Sequence, residues 1–249
     1  MTGPTCDDFL GGRVQILQPR HGYRAATDPV YLAAACPAKP GERVLELGCG
    51  VGVAALCLAA RVPGLRLVGV ERQPDYAALA RENAAAAGAD LTVVEADLTC
   101  LPVDLRQQSF DHVLANPPFF APGDGTAADD PGREAANREE TPLADWVAAA
   151  RARLLPMGWL TLIHSAARLP DCLFALQGGF GAISVLPIQP RPGREAVRVV
   201  IRARKGARAP FRLLPPFLVH SAAAHPGDRP DLTEAAEAVQ RHGAALPFP

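Results

Sequence analysis

Four consecutive residues, Asn116-Pro117-Pro118-Phe119, are the part of this 249-residue chain whose types and order could do chemistry. An exocyclic amine or an amide nitrogen is a poor nucleophile, because its lone pair is delocalised into the neighbouring π system. Two acceptors, one for each N–H, would localise that pair and aim it. The side-chain carbonyl of Asn116 supplies the first and the backbone carbonyl of Pro117 the second, and the next proline keeps that backbone stiff and extended. Phe119 then offers a flat ring to a planar substrate, a contact worth about 1–3 kcal/mol for a base. Phe120 is the alternative stacker. Catalysis of this kind is positioning, and it calls for neither a metal nor a strong base.

A second constellation lies upstream. Residues 44–52 read Val-Leu-Glu-Leu-Gly-Cys-Gly-Val-Gly, an apolar run that turns into alternating glycines. Gly48, Gly50 and Gly52 let the backbone bend with positive φ and press against a ligand, while the helical pattern over residues 53–61 points its N-terminus at the same place. A dinucleotide-binding turn needs G-x-G-x-x-G, and position 53 is Val, so a nicotinamide oxidoreductase is disfavoured. A tight strand-to-helix turn with no ligand would carry the same glycines. Glu71 ends the next strand-like run, over residues 65–70, and lies about 20 residues beyond the glycines, where a carboxylate can accept hydrogen bonds from both hydroxyls of a ribose. Arg72 adjoins it. Asp97 follows a third run and can take an adenine amino group, with the adjacent Leu98 against the ring. Near the start of the chain, Thr27 or Asp28 either caps the helix that Pro29 opens or reaches the ligand.

These groups need a scaffold. Strands are expected over residues 44–47, 65–70, 91–94, 110–115, 159–164, 180–188 and 196–203, and helices over 30–35, 53–61, 74–87, 141–155, 169–176 and 231–241. Alternation through the first five strands predicts an α/β Rossmann-like fold with a seven-stranded, mainly parallel sheet and helices on both faces. The last two strands have no room for a helix between them and should form an antiparallel hairpin. Asn116 then falls at the carboxyl end of the fourth strand, beside the crevice where open α/β sheets bind ligands. Residues 9–17 are spaced as a small hairpin around Gly11-Gly12, so residues 1–40 read as an extension packed on a domain spanning 41–249. The polar, Gly/Pro-rich residues 121–140 suggest a lid beside the site.

Bulk properties narrow the class. A composition 49% hydrophobic can bury one large core. The six scattered cysteines include no C-x-x-C pair, so a metal site is not expected. There is no basic and apolar leader and no long apolar run, so neither secretion nor a membrane partner is expected, and the cytoplasm follows. A net charge of −1 gives no global sign of nucleic-acid binding. Residues 191–212, however, hold eight basic residues against the single Glu195, +7 against −8 for the remainder. Arg198, Arg202 and Arg204 alternate along the seventh strand, and with Arg194 and Lys205 they form a candidate phosphate-tracking stripe.

The motifs together resemble a known family. Glu46 and the glycines resemble motif I of class I S-adenosylmethionine-dependent methyltransferases, and Asn116 to Phe119 resembles the N-P-P-aromatic signature of their amino-group branch. With Gly22-Tyr23-Arg24-Ala25-Ala26-Thr27-Asp28 and Arg204-Lys205-Gly206, the chain is similar over nearly its whole length to the bacterial tRNA1(Val) adenine-37 N6-methyltransferases. The resemblance implies S-adenosyl-L-methionine as methyl donor, S-adenosyl-L-homocysteine as product, tRNA as partner, and in-line attack of an amine on the sulfonium methyl. It also implies that Gly48, Gly50, Glu71, Asp97 and Asn116 contact the donor or the target amine. A monomer or weak homodimer is expected. Protein-glutamine methylation of release factors and guanine-N2 methylation of ribosomal RNA share the same chemistry and remain open, as does a nucleotide-binding protein that transfers nothing.

Overall fold

A computed structural model describes residues 3–119, 141–224 and 231–248. The expected lid over 121–140 and the alternative stacker Phe120 lie outside these residues. Strands β1 (Thr5–Phe9) and β2 (Val14–Gln18) form the N-terminal antiparallel hairpin. The large sheet contains β3 (Arg43–Leu47), β4 (Arg66–Glu71), β5 (Leu91–Glu95), β6 (Phe110–Ala115), β7 (Leu154–Ser165), β8 (Phe180–Gln189) and β9 (Arg198–Lys205). Two short strands, β10 (Arg212–Leu213) and β11 (Phe217–Leu218), extend it beyond the seven expected, both pairing with β8. The spatial order is β10-β8-β9-β7-β6-β3-β4-β5. Strands β7, β6, β3, β4 and β5 run parallel, and β9 lies antiparallel between β7 and β8. The chain thus winds outward from β3 in both directions, and the change of direction between β3 and β6 opens a crevice at their carboxyl ends.

Helices α1 (Asp28–Ala35), α2 (Val53–Arg61), α3 (Pro74–Ala87), α4 (Val103–Arg106), α5 (Leu143–Arg153), α6 (Leu169–Ala175) and α7 (Glu234–His242) complete the layers. One apolar cluster joins α1, α2 and α7 to one face of the sheet, and a second joins α5 and α6 to the other. Burial on both faces explains why β3 reads as a run of apolar residues instead of an alternation. Although α1 precedes residue 40, it packs within the same layer as α2. Helix α3 has the expected bounds, with Pro74 in its first turn and Gly88 left-handed at φ 59° after its end. Among the described residues, no helix is long and apolar enough to cross a membrane.

Two local expectations differ from the structure. Pro156-Met157-Gly158 reads as a helix stop, but β7 already begins at Leu154, and its pairing with β6 shifts between Phe110 opposite Leu154 and His112 opposite Trp159. The intervening residues bulge, with Met157 at φ 63°, and a bulge is where a strand tolerates proline. The other difference concerns helix capping: Thr27 occupies the cap position of α1 without a side-chain bond, and Asp28 instead pairs with Arg198.

The hairpin is tied to the sheet by amides. Asn83 of α3 accepts from Leu17 N–H at 2.8 Å and donates to the carbonyls of Leu17 and Val51, each at 3.0 Å. Gln18, 1% exposed, clamps Ala25 by both backbone groups. The Arg13 guanidinium reaches the carbonyls of Ala60 and His242.

Candidate functional site

The crevice holds a cavity with about 1130 Å³ of empty space, counted out to its open mouth. Of the residues singled out in the sequence, Glu46, Gly48, Gly50, Glu71, Arg72, Asp97, Leu98, Asn116, Pro117 and Phe119 border it. Thr27, Asp28 and Gly52 do not. Thr27 is exposed, and Gly52 sits at φ 88° as the cap of α2.

Hydrogen bonds shape the glycine turn. Glu71, 6% exposed at the end of β4, accepts from Gly50 N–H at 2.8 Å with one oxygen and from Gln73 N–H at 2.9 Å with the other. The carboxylate therefore holds the turn in place, and each oxygen keeps a lone pair for an outside donor. The two central glycines serve different ends. A Cβ on Gly48 would meet the Trp146 ring of α5 at 2.5 Å, whereas a Cβ on Gly50 would project into open space. Gly48 thus makes room for Trp146, and Gly50 leaves backbone bare toward the cavity, both at positive φ.

Glu46 is buried in β3 and accepts the Ala55 N–H in the first turn of α2 at 2.9 Å. Burial pushes its carboxyl up to about 8, opposed by the Ala55 bond and reinforced by the nearby Glu71 charge. A buried acid that is mostly neutral at pH 7 suits a cationic ligand, which would draw it into its ionised form. Asp97 is exposed, and its Oδ1 takes both the backbone N–H and the hydroxyl of Thr99, at 2.8 and 2.6 Å. Those bonds hold its carboxyl below the usual range.

Opposite stands Asn116, the residue after β6. Its Oδ1 is buried and has no hydrogen-bond partner. An unmet buried acceptor costs about 1–3 kcal/mol, so its presence at a cavity wall marks a place for an N–H from outside the protein. The Tyr23 side chain hydrogen-bonds Asn116 and borders the same cavity, and its phenol is pushed up to about 12, chiefly by burial and then by Asp28. Tyr23 is itself held, its backbone N–H donating to the Tyr76 hydroxyl at 2.8 Å. Phe119 presents its ring next to Asn116, with the His164 ring 5.3 Å away. Burial, with the Arg168 charge next, lowers His164 to about 4 and so keeps it neutral. Tyr23, Trp146 and His164 were not singled out from the sequence as site residues. Tyr23 lies in the Gly22 to Asp28 stretch, the only local sign of it, and the other two look like ordinary apolar positions.

The arginines of β9 make contacts within the protein. Arg198, Arg202 and Arg204 share one side of β9, but Val200 between them is fully buried, because that face is covered by helices and by the C-terminal segment. Arg202 stacks over Trp159 and Phe248 at 4.7 and 4.9 Å. Arg204 donates to the Met157 carbonyl at 2.8 Å, and Lys205 to the Leu154 carbonyl at 2.6 Å. Arg198 turns to Asp28 and Phe119. Arg194 is exposed. The cations of β9 are thus engaged in contacts within the sheet while Arg198, Arg204 and Lys205 stay half-buried.

The methyltransferase small domain family matches residues 29–187. The chain belongs to that family. As a methyltransferase of this family it has relatives of two kinds. A tRNA1(Val) (adenine(37)-N6)-methyltransferase of Porphyromonas gingivalis is 33% identical over 219 residues, 82% of this chain and 85% of the relative. A release factor glutamine methyltransferase of Geobacter sulfurreducens is 36% identical over only 109 residues, 44% of this chain and 36% of the relative. Among solved structures, a predicted O-methyltransferase of Agrobacterium tumefaciens, protein Atu636, superposes with a TM-score of 0.72 at 27% identity, covering 88% of this chain and 98% of that one. The fold is that of the class I S-adenosylmethionine-dependent methyltransferases, and the chain is such an enzyme.

Proposed function

We propose that this methyltransferase moves the methyl group of S-adenosyl-L-methionine to the N6 amine of an adenine in tRNA, at the position its full-length relatives are named for. The observation that carries the reading is the buried, unpartnered Oδ1 of Asn116, an acceptor waiting for an amine N–H beside the glycine turn, since Ala115 and Leu47 are register partners on adjacent strands. The tRNA relative in P. gingivalis matches across most of both chains, whereas the glutamine methyltransferase matches only a central segment. That contrast favours a nucleic-acid substrate over a release factor.

In this reading Glu71 accepts from the ribose hydroxyls of the donor, Asp97 takes its adenine amine, Leu98 lies against that ring, and Gly48 and Gly50 let its amino-acid end approach the backbone. Glu46 provides a counter-charge behind the turn. The donor supplies an electrophilic methyl on a cationic sulfur. The protein's own part is to hold the target amine by Asn116 Oδ1 and the Pro117 carbonyl, so that its lone pair faces that methyl in line. The fit calls for no metal. The enzyme is expected to act in the cytoplasm, where tRNA is, as a monomer or weak homodimer.

The test offers methyl-labelled donor and purified protein to unmodified tRNA, ribosomal RNA and release-factor protein in parallel. Label recovered as N6-methyladenosine from the tRNA supports the reading; label confined to protein glutamine or to ribosomal guanine overturns the substrate. Asn116→Ala should abolish transfer in each case while donor binding is retained, and full activity of that variant would remove Asn116 from the chemistry.

A further inference from the structure

Phe119 borders the cavity, but the groups around its ring do not. The Cζ of Arg198 sits over the ring, 4.4 Å from its centroid, and the His164 ring is tilted against it at 52°. Neither residue lines the cavity, so the ring that borders the cavity is backed by groups that do not, and Asp28 reaches it only through Arg198. The Arg198 guanidinium is also fixed. Its Nε donates to the Asp28 carboxylate at 3.1 Å, and its Nη1 to the Val197 carbonyl at 3.2 Å. A guanidinium paired with a carboxylate and laid on an aromatic face is held in one orientation by the two contacts.

We propose that Arg198, anchored by Asp28 at the start of α1, is a positioning residue that backs Phe119 and keeps the opposite face of that ring toward the planar group carrying the target amine. It acts through Phe119 and makes no phosphate contact. The cation behind the ring draws π density toward itself, so the cavity-facing side favours a neutral, electron-rich plane such as an adenine and disfavours a cation. The inference rests on the reading that Phe119 receives the target, and it gives Asp28 a role at the site without contact to the donor.

Arg198→Ala, Arg198→Lys and Asp28→Asn are compared with wild type for methyl transfer to tRNA over a range of salt, for donor affinity, and for unfolding midpoint. Backing predicts that Arg198→Ala and Arg198→Lys both lower methyl transfer by about tenfold, because an ammonium does not reproduce the flat stack. Donor affinity and the salt slope should stay unchanged. Asp28→Asn, which loosens the anchor, should also lower transfer. A phosphate contact predicts the reverse for that variant, since freeing Arg198 would tighten tRNA binding and steepen its salt dependence. Tighter binding by Asp28→Asn, a salt slope reduced by about one charge in Arg198→Ala, or transfer within twofold of wild type in all three variants overturns the proposal. Should Arg198→Ala fail to fold, the opposite signs expected for Asp28→Asn still decide. If the wild-type enzyme labels glutamine and not tRNA, the substrate reading fails on its own. The same variants then test the backing role on that substrate, through kcat at unchanged donor affinity.

Discussion

If Glu46 lies behind the bound donor, as proposed, donor binding is a proton-linked event. In the free protein its carboxyl titrates at about 8 because it is buried, with only the Ala55 N–H to offset the loss of water. A ligand bearing a sulfonium and an ammonium group would stabilise the ionised form, so binding must expel the proton that Glu46 carries. At pH 6 a group titrating near 8 is protonated in roughly 99 of 100 molecules, and at pH 8 in about half. If the bound state holds it ionised, affinity for S-adenosylmethionine should rise by roughly 50-fold from pH 6 to pH 8, about 2.3 kcal/mol, and level off above. Titration calorimetry in buffers of different ionisation enthalpy would count the released proton directly. In Glu46→Gln the dependence should vanish. The same shift has a consequence for the unliganded fold. Its folded state holds a proton that the unfolded chain releases near 4.5, so Glu46 makes the protein less stable as pH rises from about 4.5 to 8, and the Gln variant should lose that slope. An affinity that is flat across this range, or that improves on acidification, would refute the reasoning.

Two further expectations follow from single contacts. Tyr23→Phe keeps the ring and removes the hydroxyl that engages the Asn116 amide, so kcat should fall about tenfold with donor affinity unchanged; rapid-quench measurement of methyl transfer alongside equilibrium donor binding separates the two. Gly48→Ala places a Cβ 2.5 Å from Trp146 at φ 64° and should cost about 2–4 kcal/mol of stability, read as a lower denaturant midpoint.

Much of the site could be read in the sequence because its signals are local. The end of an apolar run at Glu46-Leu47, the glycines, the helix opening at Val53 and the Asn-Pro-Pro-Phe turn after β6 each follow from neighbours in the chain, and parallel order brings their carboxyl ends together. Glu71 followed from its spacing alone. The arginines of β9 show where this stops. Alternation correctly put Arg198, Arg202 and Arg204 on one side, but period 2 does not say whether that side faces water or a helix. Val200, in register between them and buried, was the residue that carried the answer. Pro156 and Gly158 did follow the end of the helix at Arg153, but the same residue types that end helices also shape bulges, so the strand start at Leu154 was not visible. The bond from Tyr23 to Asn116 joins segments far apart in sequence, and no local pattern encodes it.

The clasp around the N-terminal hairpin bears on how the chain becomes a protein. Arg13 holds the carbonyl of His242 across 229 positions, and Gly11 lies so close to the Arg241 carbonyl that a Cβ there would sit at 2.9 Å. During synthesis the hairpin leaves the ribosome long before α7 exists to cover it. Its apolar residues Leu10 and Val14, 2% and 5% exposed at the end, must wait through the making of the whole sheet. The wall that carries Tyr23 is braced by Gln18 of that hairpin. A nascent chain lacking α7 would therefore have its glycine turn, its Asn-Pro-Pro-Phe turn and the Asn83 tie to Leu17 in hand while the Leu10 and Gly11 end of the hairpin is still uncovered. Completion of the last helix is the step that closes the outer end of the hairpin.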